Sequence, residues 1–121
     1  MGVLIQTIPS APVLKPIRIE AQSTTSAVAI EMPEIVSLSE LAGGSEITSY
    51  NLESNQGAGS VFYEVTGESI EQLNRVIIVT TTPGQTYKFR YRVKNMLGFS
   101  TAYSTEAEFK SAKAPLAPEA L

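Results

Sequence analysis

The sequence of 121 residues contains no cysteine, no histidine and no tryptophan. Without cysteine it has no disulfide, no thiolate nucleophile and no cysteine zinc site. Without histidine it lacks the commonest general base and the commonest metal ligand. Aspartate is absent too, and the twelve glutamates are scattered, which disfavours the clustered oxygen ligands of a calcium site. We therefore predict a protein that is not an enzyme and that holds no cofactor.

Long apolar runs are also missing, because no segment approaches the ~20 apolar residues of a membrane span. Residues 1–8 carry no basic n-region and do not resemble a signal peptide. We expect no direct insertion into a membrane. The net charge of −3 disfavours nucleic acid as a partner, since proteins that bind nucleic acids are normally basic.

What the sequence does contain is the stretch from Pro83 to Ser104, with strict alternation over residues 87–94. Apolar and cationic residues alternate there, so one face of a strand is apolar and the other is positively charged. The apolar set is Tyr87, Phe89, Tyr91 and Val93, and the cationic set is Lys88, Arg90, Arg92 and Lys94. Asn95 and Gly98 suit the tight turn that follows. The pattern predicts a strand whose aromatic face lies in the core.

Six further runs predict short strands separated by turns. They cover residues 13–22, 27–32, 47–54, 61–65, 76–82 and 100–111. Pro16 removes a hydrogen-bond donor, so the first run should be an edge strand. The fifth run is β-branched almost throughout, which indicates a strand buried on both faces at Ile77 and Val79. Tyr50 and Leu52 share one face of the third run and join the predicted core.

Two brief helical turns are predicted between these strands. Residues 37–41 form one turn that ends at Gly43 and Gly44. Residues 69–72 form the other, because they have the spacing of a capping box. No longer helix is indicated, so seven short strands predict an all-β sandwich.

Residues 34–46 are apolar for a loop, because they include Ile35, Val36, Leu38 and Leu41. One interpretation is that these side chains fold down and cap one end of the core. The other is a partner-binding tip, since loops carried on rigid sandwiches often hold function. We favour the first interpretation, because an exposed apolar patch is costly in a soluble domain.

The four cations of the alternating strand also have two interpretations. They form a solvated strand face that discourages association between sheets, or they dock an acidic partner, an anionic glycan or a lipid surface. We favour the solvated face, because the protein is acidic overall and glutamates such as Glu53 or Glu106 can neutralise cations across strands. The turn residues Met96 and Leu97 are a further candidate for partner binding.

Several motifs resemble those of fibronectin type III domains. They are Pro83-Gly84-x-x-Tyr87-x-Phe89, Val93-x-Asn95-x-x-Gly98-x-Ser100, the prolines between residues 9 and 12, and Ile47-x-x-Tyr50-x-Leu52. The resemblance implies a seven-stranded immunoglobulin-like Greek-key sandwich over residues 9–112. A leading segment or linker at 1–8 would precede it, and a linker to a following module at 113–121 would end the chain. The resemblance also implies that the Tyr87 hydroxyl bonds backbone in the preceding loop.

The sequence departs from that family at several places. Met32 stands where a core tryptophan is usual, Thr81 where a leucine is usual, and Ser54 where an aromatic residue is common. A lighter core follows, filled by Phe62, Tyr63 or the 34–46 loop. The tripeptide Arg-Gly-Asp is absent from the turn before the last strand, so integrin binding through that motif is not predicted.

The leading functional hypothesis is a non-catalytic structural or protein-interaction module, a spacer or adhesion unit in a tandem-repeat surface or scaffold protein. Its partners would be another protein or neighbouring modules, and the isolated module would be a monomer. The alternative is an accessory or carbohydrate-binding module of a secreted enzyme, for which Tyr63, Phe99 and Tyr103 are the candidate aromatic residues. An extracellular or cell-surface location is favoured over an intracellular scaffold, although the lack of cysteine fits either.

Overall fold

Alternating patterns along the chain produce short strands that pair into two antiparallel sheets. The computed structural model describes residues 6–24 and 26–111. Within these residues the strands are β1 Ile17–Arg18, β2 Ala27–Glu31, β3 Ser49–Ser54, β4 Tyr63–Thr66, β5 Val76–Thr80, β6 Thr86–Asn95, β7 Gly98–Phe99 and β8 Ala107–Lys110. A short 3₁₀ helix follows β1 at Glu20–Gln22. The predicted linker at 113–121 and most of the predicted leading segment lie outside the described residues.

The two sheets have three and five strands. The first has the order β1-β2-β5, and the second has the order β4-β3-β6, with β7 and β8 both paired to β6. Backbone hydrogen bonds from Ser100 and Ser104 to β6 bridge the gap between β7 and β8, so these are two parts of one interrupted last strand. With that strand counted once, the predicted seven-stranded all-β sandwich is confirmed.

The inner face of β6 is the centre of the core. The six residues that the sequence assigns to the core are between 0% and 6% exposed: Tyr50, Leu52, Tyr87, Phe89, Tyr91 and Val93. They form one cluster with Val28 and Ile30 of β2. Met32 is also fully buried, at the place where the resembling family carries a tryptophan. Burial of each large apolar side chain contributes roughly 2 kcal/mol to stability.

Two buried tyrosines fix the start of the loop that follows β2. The Tyr50 hydroxyl accepts from the N–H of Ile35 at 2.9 Å and donates to its carbonyl at 3.3 Å. The Tyr91 hydroxyl donates to the carbonyl of Pro33 at 2.8 Å. These bonds satisfy both hydroxyl groups inside the core and hold the loop backbone over it.

The first predicted strand is much shorter than residues 13–22. Only Ile17–Arg18 pairs with β2, directly after the buried Pro16. Proline fixes φ and has no N–H, so the ladder does not extend back through it. On the other side the chain turns into the 3₁₀ helix within two residues.

Neither predicted helical turn forms a helix. Residues 37–41 belong to a series of hydrogen-bonded turns in which Leu38 takes a φ of 69°. At 69–72, the N–H and the hydroxyl of Ser69 both donate to the carboxylate of Glu64. Ser69 is therefore bound to β4 and does not cap a helix.

Strand β5 is buried on one face and not on both, so that part of the prediction is wrong. Ile77 and Val79 pack against the core, whereas Val76 and Ile78 are exposed. The physical reason is that, in a two-layer sandwich, each sheet packs only its inner face against the other sheet. Nothing in the described part of the chain covers its outer face.

The Tyr87 hydroxyl accepts from the N–H of Thr82 at 2.7 Å, in the loop before β6 as the resemblance implies. Changing Tyr87→Phe removes that acceptor while it preserves the buried ring. We expect a loss of about 1 kcal/mol in the free energy of unfolding, measured by urea denaturation. Tyr63→Phe is the matched control, since Tyr63 is half exposed and should lose almost nothing. Equal effects of the two changes would contradict this role for Tyr87.

Burial raises the pKa of the Tyr50 and Tyr91 hydroxyls above their usual value near 10. The folded state therefore holds these protons more tightly than the unfolded state does. Their stabilising contribution is complete below pH ~10 and is lost as the pH rises above that value. In Tyr91→Phe, the free energy of unfolding obtained from urea denaturation should fall less steeply between pH 10 and 12, by about 1 kcal/mol per pH unit. Identical slopes for the two proteins would contradict it.

Candidate interaction surfaces

The outer face of β6 carries the four cations that the sequence singles out. Lys88, Arg90, Arg92 and Lys94 are each half-buried. Antiparallel pairing with β3 places Glu53 opposite Arg90 and Asn51 opposite Arg92. The cations therefore lie among polar and aromatic side chains of the same sheet face.

Arg90 is held by a buried carboxylate and two aromatic rings. Its Nε and Nη2 donate to Oε1 of Glu53 at 3.0 and 2.8 Å. The other carboxylate oxygen of Glu53 accepts from the Tyr103 hydroxyl at 3.0 Å. The guanidinium carbon lies 3.8 Å from the centre of the Tyr103 ring and 4.3 Å from that of Phe62. Burial, and then the hydrogen bond to Glu53, raise the pKa of Tyr103, so its hydroxyl remains a donor.

Arg92 has a similar set of partners. Its Nε donates to Oδ1 of Asn51 at 3.0 Å, and its Nη2 lies 3.8 Å from a carboxylate oxygen of Glu68. Its guanidinium carbon lies 4.3 Å from the ring centre of Phe99 and 4.7 Å from that of Tyr103. The ring of Tyr103 is thus shared between two arginines.

Lys88 and Lys94, the two lysines at the ends of the row of four cations, differ in their partners. Lys94 Nζ lies 2.9 Å from a carboxylate oxygen of Glu71 and 5.5 Å from the ring centre of Phe99. Hydrogen bonding to Lys94 lowers the pKa of the Glu71 carboxyl. Lys88 lies opposite Glu108 of β8 in register, but it is not within ion-pair distance of a carboxylate in the described residues.

We call this arrangement the cation–aromatic ladder; its members are Phe62, Arg90, Tyr103, Arg92, Phe99 and Lys94. A cation over a ring contributes about 0.5–1 kcal/mol at an exposed site. Because three of the four cations already have anionic and aromatic partners, the geometry favours a structural role over the docking of an acidic partner. The sequence analysis named Glu53 as a partner of the cations. It did not name Glu68 and Glu71, because only the connection between β4 and β5 brings these two residues to this face.

Asn95, at the end of β6, joins three segments at one end of the sandwich. Its Nδ2 donates to the carbonyl of Thr7 at 2.6 Å and to that of Ala42 at 3.0 Å. Its Oδ1 accepts from the N–H of Leu97 at 2.8 Å. This fully buried amide therefore links the leading segment, the 34–46 loop and the turn after β6.

Gly43 makes this junction sterically feasible. It has a φ of 72°, and a Cβ at this position would lie 2.1 Å from the carbonyl oxygen of Thr7 and 2.9 Å from Nδ2 of Asn95. A larger residue would both strain the backbone and separate the loop from the leading segment. The N–H groups of Gly43 and Gly44, which the sequence suggested as a helix end, donate to the carbonyls of Glu40 and Ser39 and so close the turn. Gly43 is in addition a site of close backbone approach.

The apolar residues of the 34–46 loop divide between the two interpretations. Ile35 is buried and caps the core, together with Ala42 and Ile47. The others are at the surface, and so are the two candidates of the turn after β6. We call these five residues, which are between 40% and 71% exposed, the apolar end: Val36, Leu38, Leu41, Met96 and Leu97. Asn95 brings the two groups to the same end of the sandwich.

The aromatic candidates for carbohydrate binding are mostly occupied. Phe99 and Tyr103 belong to the cation–aromatic ladder. Tyr63 is half exposed on β4. In the described ranges, no three metal-ligating side chains cluster as a metal site would require. No helix there has the length and apolar character needed to cross a membrane.

No family model and no curated protein matches the sequence. Solved structures do match. A human fourth FNIII domain shares 20% identity with a TM-score of 0.68, covering 98% of this chain and 95% of that one. The FNIII domain of human fibronectin type III domain containing protein 3 shares 18% identity with a TM-score of 0.63, covering 98% and 99%. Domains A168-A170 from titin share 18% identity with a TM-score of 0.66, covering 88% of this chain.

These similarities show that the chain has the fibronectin type III fold. The predicted Greek-key sandwich of that type is therefore confirmed. The chain spans 33% of the titin segment and 18% of a similar twitchin kinase region from C. elegans, so in both cases the match is to one part of a larger structure. Domains of this fold are generally non-catalytic modules.

The role of the cation–aromatic ladder can be tested by truncating its central cation. Arg90→Ala leaves the nearly inaccessible Glu53 carboxylate without its charged partner, so we expect a loss of about 3 kcal/mol in the free energy of unfolding. Lys88→Ala, on the same face, should change it by no more than about 0.5 kcal/mol. Adding Glu53→Gln to Arg90→Ala should recover part of the loss. Urea denaturation measures all three, and equal effects of the two single changes would exclude the structural role.

Proposed function

We propose that this domain is a non-catalytic interaction module in a chain of modules, and that its apolar end packs against the module on its N-terminal side. The observation that carries the proposal is the position of the apolar end, which adjoins the place where residues 7–10 bond Leu41, Gly43 and Asn95. The domain then acts as a spacer whose orientation relative to its neighbour is set by that contact.

Residues 7–10 are hydrogen-bonded to this end of the domain. The N–H of Thr7 donates to the carbonyl of Gly43 at 2.9 Å, and the N–H of Ser10 donates to that of Leu41 at 3.0 Å. Pro9, between them, is buried. A module joined through the residues before Gln6 is held within reach of the apolar end, because an extended chain spans at most about 3.5 Å per residue.

The apolar end has the composition of a contact surface. Its five members have no charge and come from two loops, held together by the buried Asn95. Burial of such side chains against a partner is favourable by roughly 25 cal/mol for each Å² of apolar surface. Contiguous exposed apolar surface is typical of protein interaction sites. The multi-domain titin and twitchin structures support the assignment to a modular protein by their fold alone.

The other hypotheses have weaker support. A carbohydrate-binding module needs free aromatic rings, and two of its three candidates are stacked on arginines. Docking of an acidic partner needs free cations, and three of the four are paired. An adhesion role, a surface location and the number of neighbouring modules remain predictions from the sequence.

The proposal is tested in a two-module segment that contains this domain and the module before it in the parent polypeptide. Backbone amides near Leu38 and Met96 should exchange with solvent more slowly in that segment than in the isolated domain. Val36→Ser with Met96→Ser should abolish the difference and let the two modules tumble independently in NMR relaxation measurements. Ile70→Ser is the matched control, because Ile70 is highly exposed and lies outside the apolar end.

Two results would overturn the proposal. One is a parent polypeptide without a folded module on the N-terminal side. The other is a two-module segment in which the apolar end exchanges as fast as in the isolated domain.

A further inference from the structure

Strand β5 has one edge that no strand of residues 6–24 and 26–111 covers. It is the last strand in the order β1-β2-β5. At its start the carbonyl of Arg75 accepts from the N–H of Met32, and just after its end the N–H of Thr81 donates to the carbonyl of Ser26. In an antiparallel ladder, alternate residues direct their backbone groups to the same side. The odd-numbered residues of this strand therefore bond β2.

The even-numbered residues of β5 direct their backbone groups away from β2. These are Val76, Ile78 and Thr80. Within 6–24 and 26–111, no residue bonds any of their three N–H groups. The side chains of Val76 and Ile78 are 40% and 58% exposed on the outer face. Nor does any described residue donate to the carbonyls of Val76, Ile78 or Thr80. With respect to the described part of the chain, the edge thus combines three unpaired donors, three unpaired acceptors and an apolar side-chain surface.

The other edge strands carry features that discourage pairing with another chain. β1 has two residues and follows Pro16, β4 contains Glu64, and β8 contains Glu108 and Lys110. Short length, proline and charge are the usual protections of an exposed edge. β5 has none of them, since its sequence Val-Ile-Ile-Val-Thr contains neither a charge nor a proline.

We propose that β5 pairs with β5 of a second copy of this chain, in an antiparallel arrangement with a two-fold axis between the two Ile78 residues. Val76 of each copy then lies opposite Thr80 of the other. In this register the three free N–H groups of each copy meet the three free carbonyls of the other. All the unpaired groups of the edge are satisfied, and no like charges oppose each other.

The side chains fit the same arrangement. Residues directly opposite in an antiparallel pair point to the same face. The two Ile78 side chains therefore meet on the outer face, next to Ala29, which is opposite Ile78 in β2 and fully buried. The two three-stranded sheets become one continuous sheet. The contact is small, so we expect a weak dimer that depends on protein concentration.

This inference does not rest on the proposed function, and it replaces the expectation of a strict monomer. Cysteine cross-linking tests it cleanly because the chain has no cysteine. In the proposed register, the two Ile78 Cα atoms are about 5.5 Å apart, within the range that a disulfide bridges. Under mild oxidation, Ile78→Cys should form a covalent dimer at least about tenfold faster than a variant whose cysteines meet only by random collision.

Ile17→Cys is the matched control, because Ile17 is 48% exposed and lies on β1, the opposite edge of the same sheet. The register has its own test. Val76→Cys alone and Thr80→Cys alone should cross-link slowly, and an equal mixture of the two should cross-link fast. Each change affects an exposed side chain, so circular dichroism should remain that of the unchanged protein.

The unchanged protein provides an independent readout. Its weight-average mass in sedimentation should rise with concentration, and Ile78→Lys should abolish the rise. As the mass of the unchanged protein rises, the backbone amides of Val76, Ile78 and Thr80 should become protected from hydrogen exchange. Equal cross-linking of Ile78→Cys and Ile17→Cys would overturn the proposal, and so would slow cross-linking of the mixture. Edge amides that exchange freely at every concentration would overturn it too and would leave the edge to a different partner.

Discussion

The two-sided alternation of β6 is the constraint on which the rest of the structure depends. Its inner face supplies Tyr87, Phe89, Tyr91 and Val93 to the core, and its backbone pairs with β3, β7 and β8. Its outer face supplies the cations of the ladder. A shift of one residue in its register would move the arginines into the core and the aromatic rings into solvent. Both faces therefore fix the same register.

The end of β6 organises the loops in the same way that its middle organises the sheets. Asn95 is buried and bonds the leading segment, the 34–46 loop and the following turn. The hydroxyls of Tyr50 and Tyr91, inside the core, hydrogen-bond the backbone at the start of the same loop. A loop anchored at both ends can keep apolar side chains such as Leu38 at the surface without collapsing onto the core. That anchoring is the structural basis for assigning the apolar end to an interaction.

Charge is a poor guide to the interaction surfaces of this domain. The cationic stripe is largely satisfied within its own sheet, by Glu53, Glu68, Glu71 and three aromatic rings. The two surfaces proposed here for interactions, the apolar end and the outer edge of β5, are uncharged. Desolvating an uncharged apolar surface costs little, whereas a cation that leaves an existing partner must be compensated in full.

Local pattern in the sequence predicted most of the strands and the six core residues, because alternation with a period of two is a property of the strand itself. The spacing of the motifs carried the resemblance to the fibronectin type III fold. The resemblance implied the hydrogen bond of the Tyr87 hydroxyl. Of the two glutamates that the sequence offered as partners of the cations, Glu53 pairs with Arg90, whereas Glu106 forms no ion pair within the described residues. Pro16 predicted that the first strand lies at an edge, and β1 does. Only the tertiary structure decided that the outer face of β5 is uncovered, which made the inference of full burial wrong. It alone brought Tyr103, Glu68 and Glu71 to the cations and Thr7 to Asn95. Those contacts join residues far apart in the chain, and their distances depend on how the connections between the sheets run.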